Sequence, residues 1–417
     1  MKINKIILIL MFVVMVSAMT PQPGLTQSHA QNSPERSWGT AISAETQPIT
    51  TAGPPPVFTP APPSNSQTTD QHQTAPQARL SAVGPDQFPQ GVNPLTGQTV
   101  ADPELLNLPP ALISVSNFPV SARPQAGLSF APYVYEMFIG EGMTRFLAIF
   151  YGEYPKVAPA ADGTVATNDQ AEIGPVRSGR LPYQAIRQLY NGFLVMSSAS
   201  AEVRSTTGNT TNIYGSDSED INSAKIDVAD LQALAESNAN AQITNLSGNL
   251  YDPKAPQGGK AAEKLWVFYN FYNQAQWTYD QANRNYLRFQ DQADGSGKFY
   301  PATDRLTGEQ LASENVIMMF VEHEVLNSTG TLIDFNLLYT QGNAYLLRDG
   351  KVYPIYWSTI GGDYEKSTGR FRPIRFTDTQ GNPIALKPGH TWVEVMDLSA
   401  TFSETQPGSW KARFYAP

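Results

Sequence analysis

Between Met19 and Gln90 the chain carries 13 of its 33 prolines and only six charged residues, Glu35, Arg36, Glu45, Asp70, Arg79 and Asp86. A stretch so poor in aliphatic side chains cannot bury enough apolar surface to offset the entropy of ordering its backbone. Residues 19–90 are therefore expected to be a disordered linker rich in Pro, Ser, Thr and Gln. A coil of that length spans ~45–50 Å on average, and further where runs such as Gly53-Pro54-Pro55-Pro56 stiffen it. What is left to build cores is the 327 residues from Gly91 to Pro417.

The segment before the linker reads as an export signal. Lys2 and Lys5 precede the apolar run Ile6 to Met19, and Val16-Ser17-Ala18 has the small-x-small pattern of a signal-peptidase site. Cleavage after Ala18 is expected, making residues 1–18 a signal peptide and the protein extracytoplasmic, either secreted or held at the cell envelope. The alternative, a retained membrane anchor, has to work with a 14-residue run where ~20 are needed to cross the hydrocarbon layer. Cysteine is absent, which removes disulfides, thiolate metal sites, cysteine nucleophiles and a lipid-modified cysteine together. The net charge of −9 comes without any basic run, so nucleic acid is not an expected partner, and contact with a membrane is expected only through a retained signal segment.

From Gly91 the pattern divides in two. Ala111 to Val115 is a short apolar run, and Tyr133 to Ile139 and Thr144 to Tyr151 flank Gly140-Glu141-Gly142 as a hairpin. A helix is expected from Pro182, with Tyr183, Ile186, Leu189 and Tyr190 on one face, and a second around Asp227 to Ser237. From Leu265 the reading is β without a helix. A hairpin is expected at Ala344 to Arg348, Asp349-Gly350 and Lys351 to Tyr356, with further strands at Asn315 to Val321, Thr331 to Tyr339, Arg372 to Phe376 and Thr391 to Val395. The fold class expected is α+β, with a mixed α/β N-terminal domain (91–250), a β-rich C-terminal domain (265–400), a boundary within Gly248 to Lys264, and a C-terminal tail (401–417).

Few residues carry obvious chemistry. Only His323 and His390 lie beyond the linker, and their spacing suggests neither a catalytic triad nor a metal site, so no metal and no cofactor are expected. Glu136 alternates with Val134 and Phe138, and Arg145 with Leu147 and Ile149, so each charge shares a strand face with apolar neighbours and needs a partner. A two-residue loop at Gly140-Glu141 would set Glu136 opposite Arg145, whereas a three-residue loop would turn them to opposite faces. Arg177, Ser178 and Arg180 sit on a turn leading into the helix at Pro182. There, guanidinium groups and free backbone amides would attract a phosphate or carboxylate, unless the arginines pair internally with Glu136, Glu141 or Asp169. The aromatics between Trp266 and Phe289 fit core packing on both faces of a strand better than an exposed stacking platform.

Several of these motifs together resemble the YerB-like family, a two-part bacterial extracytoplasmic domain of unknown function. The resemblance starts at Asn93-Pro94-Leu95-Thr96-Gly97, continues through Asn117 and Ala122-Arg123-Pro124-Gln125-Ala126-Gly127-Leu128-Ser129, and is strongest at Val134-Tyr135-Glu136, Glu141-Gly142-Met143-Thr144-Arg145-Phe146 and Ile173 to Arg180. Tyr286-Leu287-Arg288, Asn315-Val316-Ile317, Asp349-Gly350-Lys351 and Leu386 to Trp392 extend it to about residue 397. It implies the two-part fold but no reaction. The chain departs from it in lacking the lipid-bearing cysteine, in Pro132, in Ser197-Ser198-Ala199-Ser200 where the family has a glycine-rich phrase, and in lacking a later His-Asn pair. The function expected is a non-enzymatic binding module whose cleft, lined by Arg123, Glu136, Glu141, Arg145, Arg177, Ser178 and Arg180, takes an anionic group of an envelope polymer or protein. The alternative is an envelope-polymer hydrolase or transferase using Glu136 or Glu141 with arginine clamps.

Overall fold

Strand sequences such as YVYEMF, TRFLAIF, NVIMMF and TWVEVM are apolar on both faces, the signature of strands covered above and below. The computed structural model, which describes residues 81–155, 171–239 and 245–417, places all four in the middle of one sheet. In chain order the main elements are β1 (Ala111–Ser116), β2 (Tyr133–Phe138), β3 (Thr144–Phe150), α1 (Pro182–Tyr190), β4 (Phe193–Met196), β5 (Thr210–Asn212) and α2 (Val228–Asn238). After these come β6 (Lys264–Asn270), β7 (Asn273–Asp280), β8 (Asn285–Asp291), β9 (Asn315–Phe320), β10 (Glu324–Val325), β11 (Ile333–Asp334), β12 (Gln341–Arg348), β13 (Lys351–Ser358), β14 (Thr391–Met396), β15 (Thr401–Gln406) and β16 (Ser409–Arg413).

The large sheet has eleven strands and runs β13-β12-β9-β14-β2-β3-β1-β4-β5 through its centre. The halves of the chain meet inside it, because β14 lies parallel to both β9 and β2. With β2 antiparallel to β3, β3 antiparallel to β1, and β1 parallel to β4, the strands β9, β14, β2, β1 and β4 all point the same way. Their C-terminal ends therefore form one edge, the place where open sheets of this kind gather ligands. A second sheet of seven strands, ordered β8-β7-β6-β16-β15 through its main path, packs on one face through Leu265, Val267, Trp277 and Tyr286. Helix α1 covers the other face with Tyr183, Ile186, Leu189 and Tyr190.

The fold is thus sheet-rich throughout, its helices short covers rather than alternating partners of the strands. Four expectations need correction. Residues 81–90 are not linker: Val83 exchanges both backbone hydrogen bonds with Tyr251 at 2.8 Å, and the Phe88 ring meets the Tyr251 ring edge-on. Their partner lies 168 positions from Val83 and 163 from Phe88, so local composition could not reveal it; the rest of the expected signal and linker, residues 1–80, lies outside the described residues. Residues 401–417 are not a tail but supply β15 and β16, with Trp410, Ala412 and Phe414 buried at alternate positions. The C-terminal half also holds a short helix, Asp363–Thr368, and Thr331 to Tyr339 contributes only the two-residue β11.

The hairpins follow their turn chemistry. Arg348 pairs with Lys351 across Asp349-Gly350, both at positive φ (52° and 71°), as a two-residue turn with matching twist requires. At the β2–β3 hairpin Ile139 N–H donates to the Met143 carbonyl at 3.0 Å, leaving a three-residue loop, Gly140-Glu141-Gly142. Glu136 then pairs with Phe146 and Met137 with Arg145. Glu136 and Arg145 consequently lie on opposite faces of the large sheet.

Candidate functional site

Between the two sheets Glu136 finds its partner in Arg288 of β8, whose Nη2 donates to Glu136 Oε2 at 2.7 Å while Nη1 donates to Glu394 Oε1 at 3.2 Å. Glu136 and Glu394 are direct neighbours on β2 and β14, so two carboxyls stand side by side with one guanidinium between them. All three side chains are at most 1 % exposed. The guanidinium also lies over the rings of Trp392, Trp277 and Phe146 at 4.5, 5.2 and 5.5 Å. Trp277 Nε1 and the Tyr269 hydroxyl donate to Glu394, and the Thr144 hydroxyl and Asn117 Nδ2 donate to Glu136. Burial, and then the neighbouring Glu136 charge, raise the Glu394 carboxyl to about 8. One proton on Glu394 makes the triad electrically neutral at pH 7.

Arg123 belongs to this side. Its Nε donates to the Asn117 carbonyl at 3.1 Å and its Nη1 to the Asp291 carbonyl at 2.5 Å, and burial lowers it to about 10. The triad is a closed joint. Glu136 has no open cleft before it, which removes it as the acid or base of a hydrolase or transferase. Glu141 sits exposed at the hairpin tip, where φ is 52°.

The remaining expected site residues gather on the α1 face. Arg145, 6 % exposed, donates through Nη1 to the Ser178 carbonyl at 2.8 Å; Arg180 Nη1 donates to the Gly179 carbonyl at 2.8 Å, and Arg177 Nη1 to the Ile221 carbonyl at 2.7 Å. Burial, then the Arg180 charge, lower Arg145 to about 9, and burial also lowers Arg177 and Arg180. Among the described residues none of the three has a carboxylate in salt-bridge range, so the expected pairing with Glu136 or Glu141 is not made; Asp169 lies outside the described residues. The Nε groups of Arg145 and Arg180 are buried without a hydrogen-bond acceptor. The backbone amides expected to be free here are not: Tyr183 N–H and Gln184 N–H bond to the carbonyls of Arg180 and Leu181. Attraction for an anion therefore rests on the guanidinium groups.

The seven expected residues thus do not form one cleft. The sheet separates Arg123 and Glu136 from Arg145, Arg177, Ser178 and Arg180, and Glu141 joins neither group. Arg288 and Glu394 are not among the residues the sequence singles out for chemistry. Their signal is the one Glu136 carries: Arg288 alternates with Tyr286, and Glu394 with Trp392 and Met396. Along the same C-terminal edge, beside Leu181, opens a cavity of about 930 Å³ that reaches His323. His390 precedes β14 and His323 follows the parallel β9, so the two histidines sit at opposite strand ends; among the described residues no cluster of metal-ligating side chains forms.

The family models of the N-terminal and C-terminal domains of DUF3048, a protein of unknown function, match residues 95–249 and 266–393, together more than half of the chain. The chain belongs to the DUF3048 family. Its relatives include the Bacillus subtilis (strain 168) protein named "Putative lipoprotein YerB", 25% identical over 325 residues that make up 74% of this chain and 87% of the relative. The crystal structure of YerB from Bacillus subtilis shares the fold, with a TM-score of 0.55 and 22% identity over 73% of this chain and 96% of that one. On the DUF3048 fold the first model carries Glu136, Asn117 and the three arginines, the second Arg288. The resembling motifs Asn117, Val134-Tyr135-Glu136 and Tyr286-Leu287-Arg288 all contribute to the joint between the sheets.

Proposed function

We propose that the protein is an extracytoplasmic, envelope-associated binding module that takes an anionic group, phosphate or carboxylate, at Arg145, Arg177 and Arg180. One observation carries the reading: the Arg145 and Arg180 guanidinium groups meet at the Ser178–Gly179 turn, Arg177 lies near enough for its charge to act on both, none of the three has a described carboxylate partner, and Arg145 and Arg180 keep buried Nε donors unused. Unpaired buried charge and unmade hydrogen bonds are costly. A ligand oxyanion would answer both, and guanidinium forks suit phosphate and carboxylate geometry. The envelope location follows the relative's name and the export signal; no helix among the described residues is long and apolar enough to cross a membrane.

Isothermal titration with anionic wall fragments and glycans tests it on wild type, Arg177→Ala and Arg180→Ala. Saturable binding weakened about tenfold or more by either substitution, in proportion to one lost charge-assisted hydrogen bond, is expected. Equal binding in all three proteins, or none in any, would remove the case.

A further inference from the structure

The cavity beside Leu181 has the opposite charge character. Of its lining residues Glu322, Glu324 and Asp334 are acidic and none is Lys or Arg. Glu324 and Asp334 are direct partners across the β10–β11 ladder, an arrangement in which like charges destabilise the pairing. No described salt bridge relieves them. Asp334 is raised by burial and then by the Glu324 charge, as expected of a carboxylate with no cation beside it.

His323 adds an independent sign. Its side chain is fully buried, and Nδ1 lies 2.9 Å from the Val321 carbonyl. A carbonyl only accepts, so Nδ1 carries the proton and Nε2 is left as an acceptor in the neutral ring. Burial favours that neutral form. Asp397 Oδ2, at 3.6 Å from Nδ1, is too far to compete. Nε2 itself is buried without a partner, and the ring packs on Phe335, another wall of the cavity. A missing donor, two unneutralised carboxylates and walls that include Phe320, Phe335 and Trp357 describe one kind of ligand.

We propose that this cavity binds a primary ammonium group carried on an apolar body, with the ammonium between Glu324 and Asp334 and within reach of His323 Nε2. Three N–H donors match two carboxylates and one imidazole acceptor, and the aromatic walls exclude water from the carbon chain. A carboxylate ligand would meet the charges of Glu322, Glu324 and Asp334 and find no cation among the lining residues. The site stands apart from the arginine site in both charge and residues.

Titration calorimetry of the full chain with hexylamine, hexanol and hexanoate, which share a body and differ in head group, provides the test, with calcium and zinc chloride as further arms. Hexylamine should bind saturably and at least tenfold more tightly than hexanol, with no heat from hexanoate. Glu324→Gln combined with Asp334→Asn should weaken hexylamine at least tenfold, while Arg180→Ala should leave it unchanged. Because Glu324 is exposed, Glu324→Gln alone retains the fold and should still weaken binding several-fold. Equal binding of hexanol, binding of hexylamine undisturbed in the double variant, or binding of the metal ions alone would overturn the proposal.

Discussion

Replacing Glu394 by glutamine should stabilise the protein by an amount that depends on pH. In the folded chain burial and Glu136 hold the Glu394 proton up to about pH 8, whereas an unfolded glutamate releases it near its ordinary value of 4.5. Between those limits the unfolded state binds fewer protons than the folded one, so stability falls as pH rises. The slope is about 1.4 kcal/mol per pH unit, and the whole window amounts to something on the order of 5 kcal/mol. That is a large part of the ~5–15 kcal/mol that holds a typical domain folded. Glutamine has nearly the same shape and no proton to lose. Its carbonyl can accept from Trp277 and Arg288, and its amide can donate to the Tyr269 hydroxyl.

The measurement is urea unfolding of wild type and Glu394→Gln at pH 5, 6, 7, 8 and 9. Subtracting the two curves cancels the titrating groups outside the triad. The two proteins should agree within ~1 kcal/mol at pH 5, the variant should gain about 1.4 kcal/mol per unit up to pH 8, and the gain should level off above it. A difference that stays flat with pH, or one that shrinks as pH rises, would refute a triad neutralised by a proton on Glu394.

Arg288→Met should cost ~3–5 kcal/mol at pH 7, because it leaves two adjacent buried carboxyls without a cation, and the loss should show in the same urea assay. Gly142→Ala should lower stability by ~1–3 kcal/mol: φ there is 74°, and a Cβ would fall on the Asn270 side-chain amide that donates to the Gly142 carbonyl. Arg145→Met should leave stability equal to wild type or up to ~2 kcal/mol higher, since it removes a buried charge that has no described counter-ion. Phosphate or sulfate should raise the melting temperature of wild type but not of Arg145→Met.

What the sequence makes legible is whatever depends on near neighbours. The Asp-Gly turn, the Pro182 start of α1 and the all-apolar strands are local, and each stands where the sequence puts it. The joint between the sheets is another matter. Glu136 announces a need for a partner, but that partner is 152 positions away in a strand of the other sheet, and the three-residue loop that turns Arg145 away from it is decided by contacts beyond the hairpin. Gly140 and Gly142 press against Gly330 and Asn270, where the space admits no side chain. Nothing between Glu136 and Arg145 encodes those contacts, so the register was open from sequence alone. The same holds for Val83 and Trp410, whose surroundings look like linker and tail until Tyr251 and β6 are brought beside them.

The two faces of the large sheet handle charge differently, and that contrast is the strongest ground for expecting a ligand. Between the sheets two carboxyls, one guanidinium and the proton on Glu394 neutralise one another, and both carboxyls receive hydrogen bonds from the surrounding side chains. On the α1 face three guanidinium groups lie together, two of them with idle Nε donors, and a short way along the edge two carboxylates face each other. A fold that had needed only stability could have filled the α1 face with apolar side chains, as it does at Leu147 and Ile149 of β3. Arg145 occupies the next position on that same face of the strand. Its retention there, against the cost of desolvation, is accounted for if an anion arrives to complete the site.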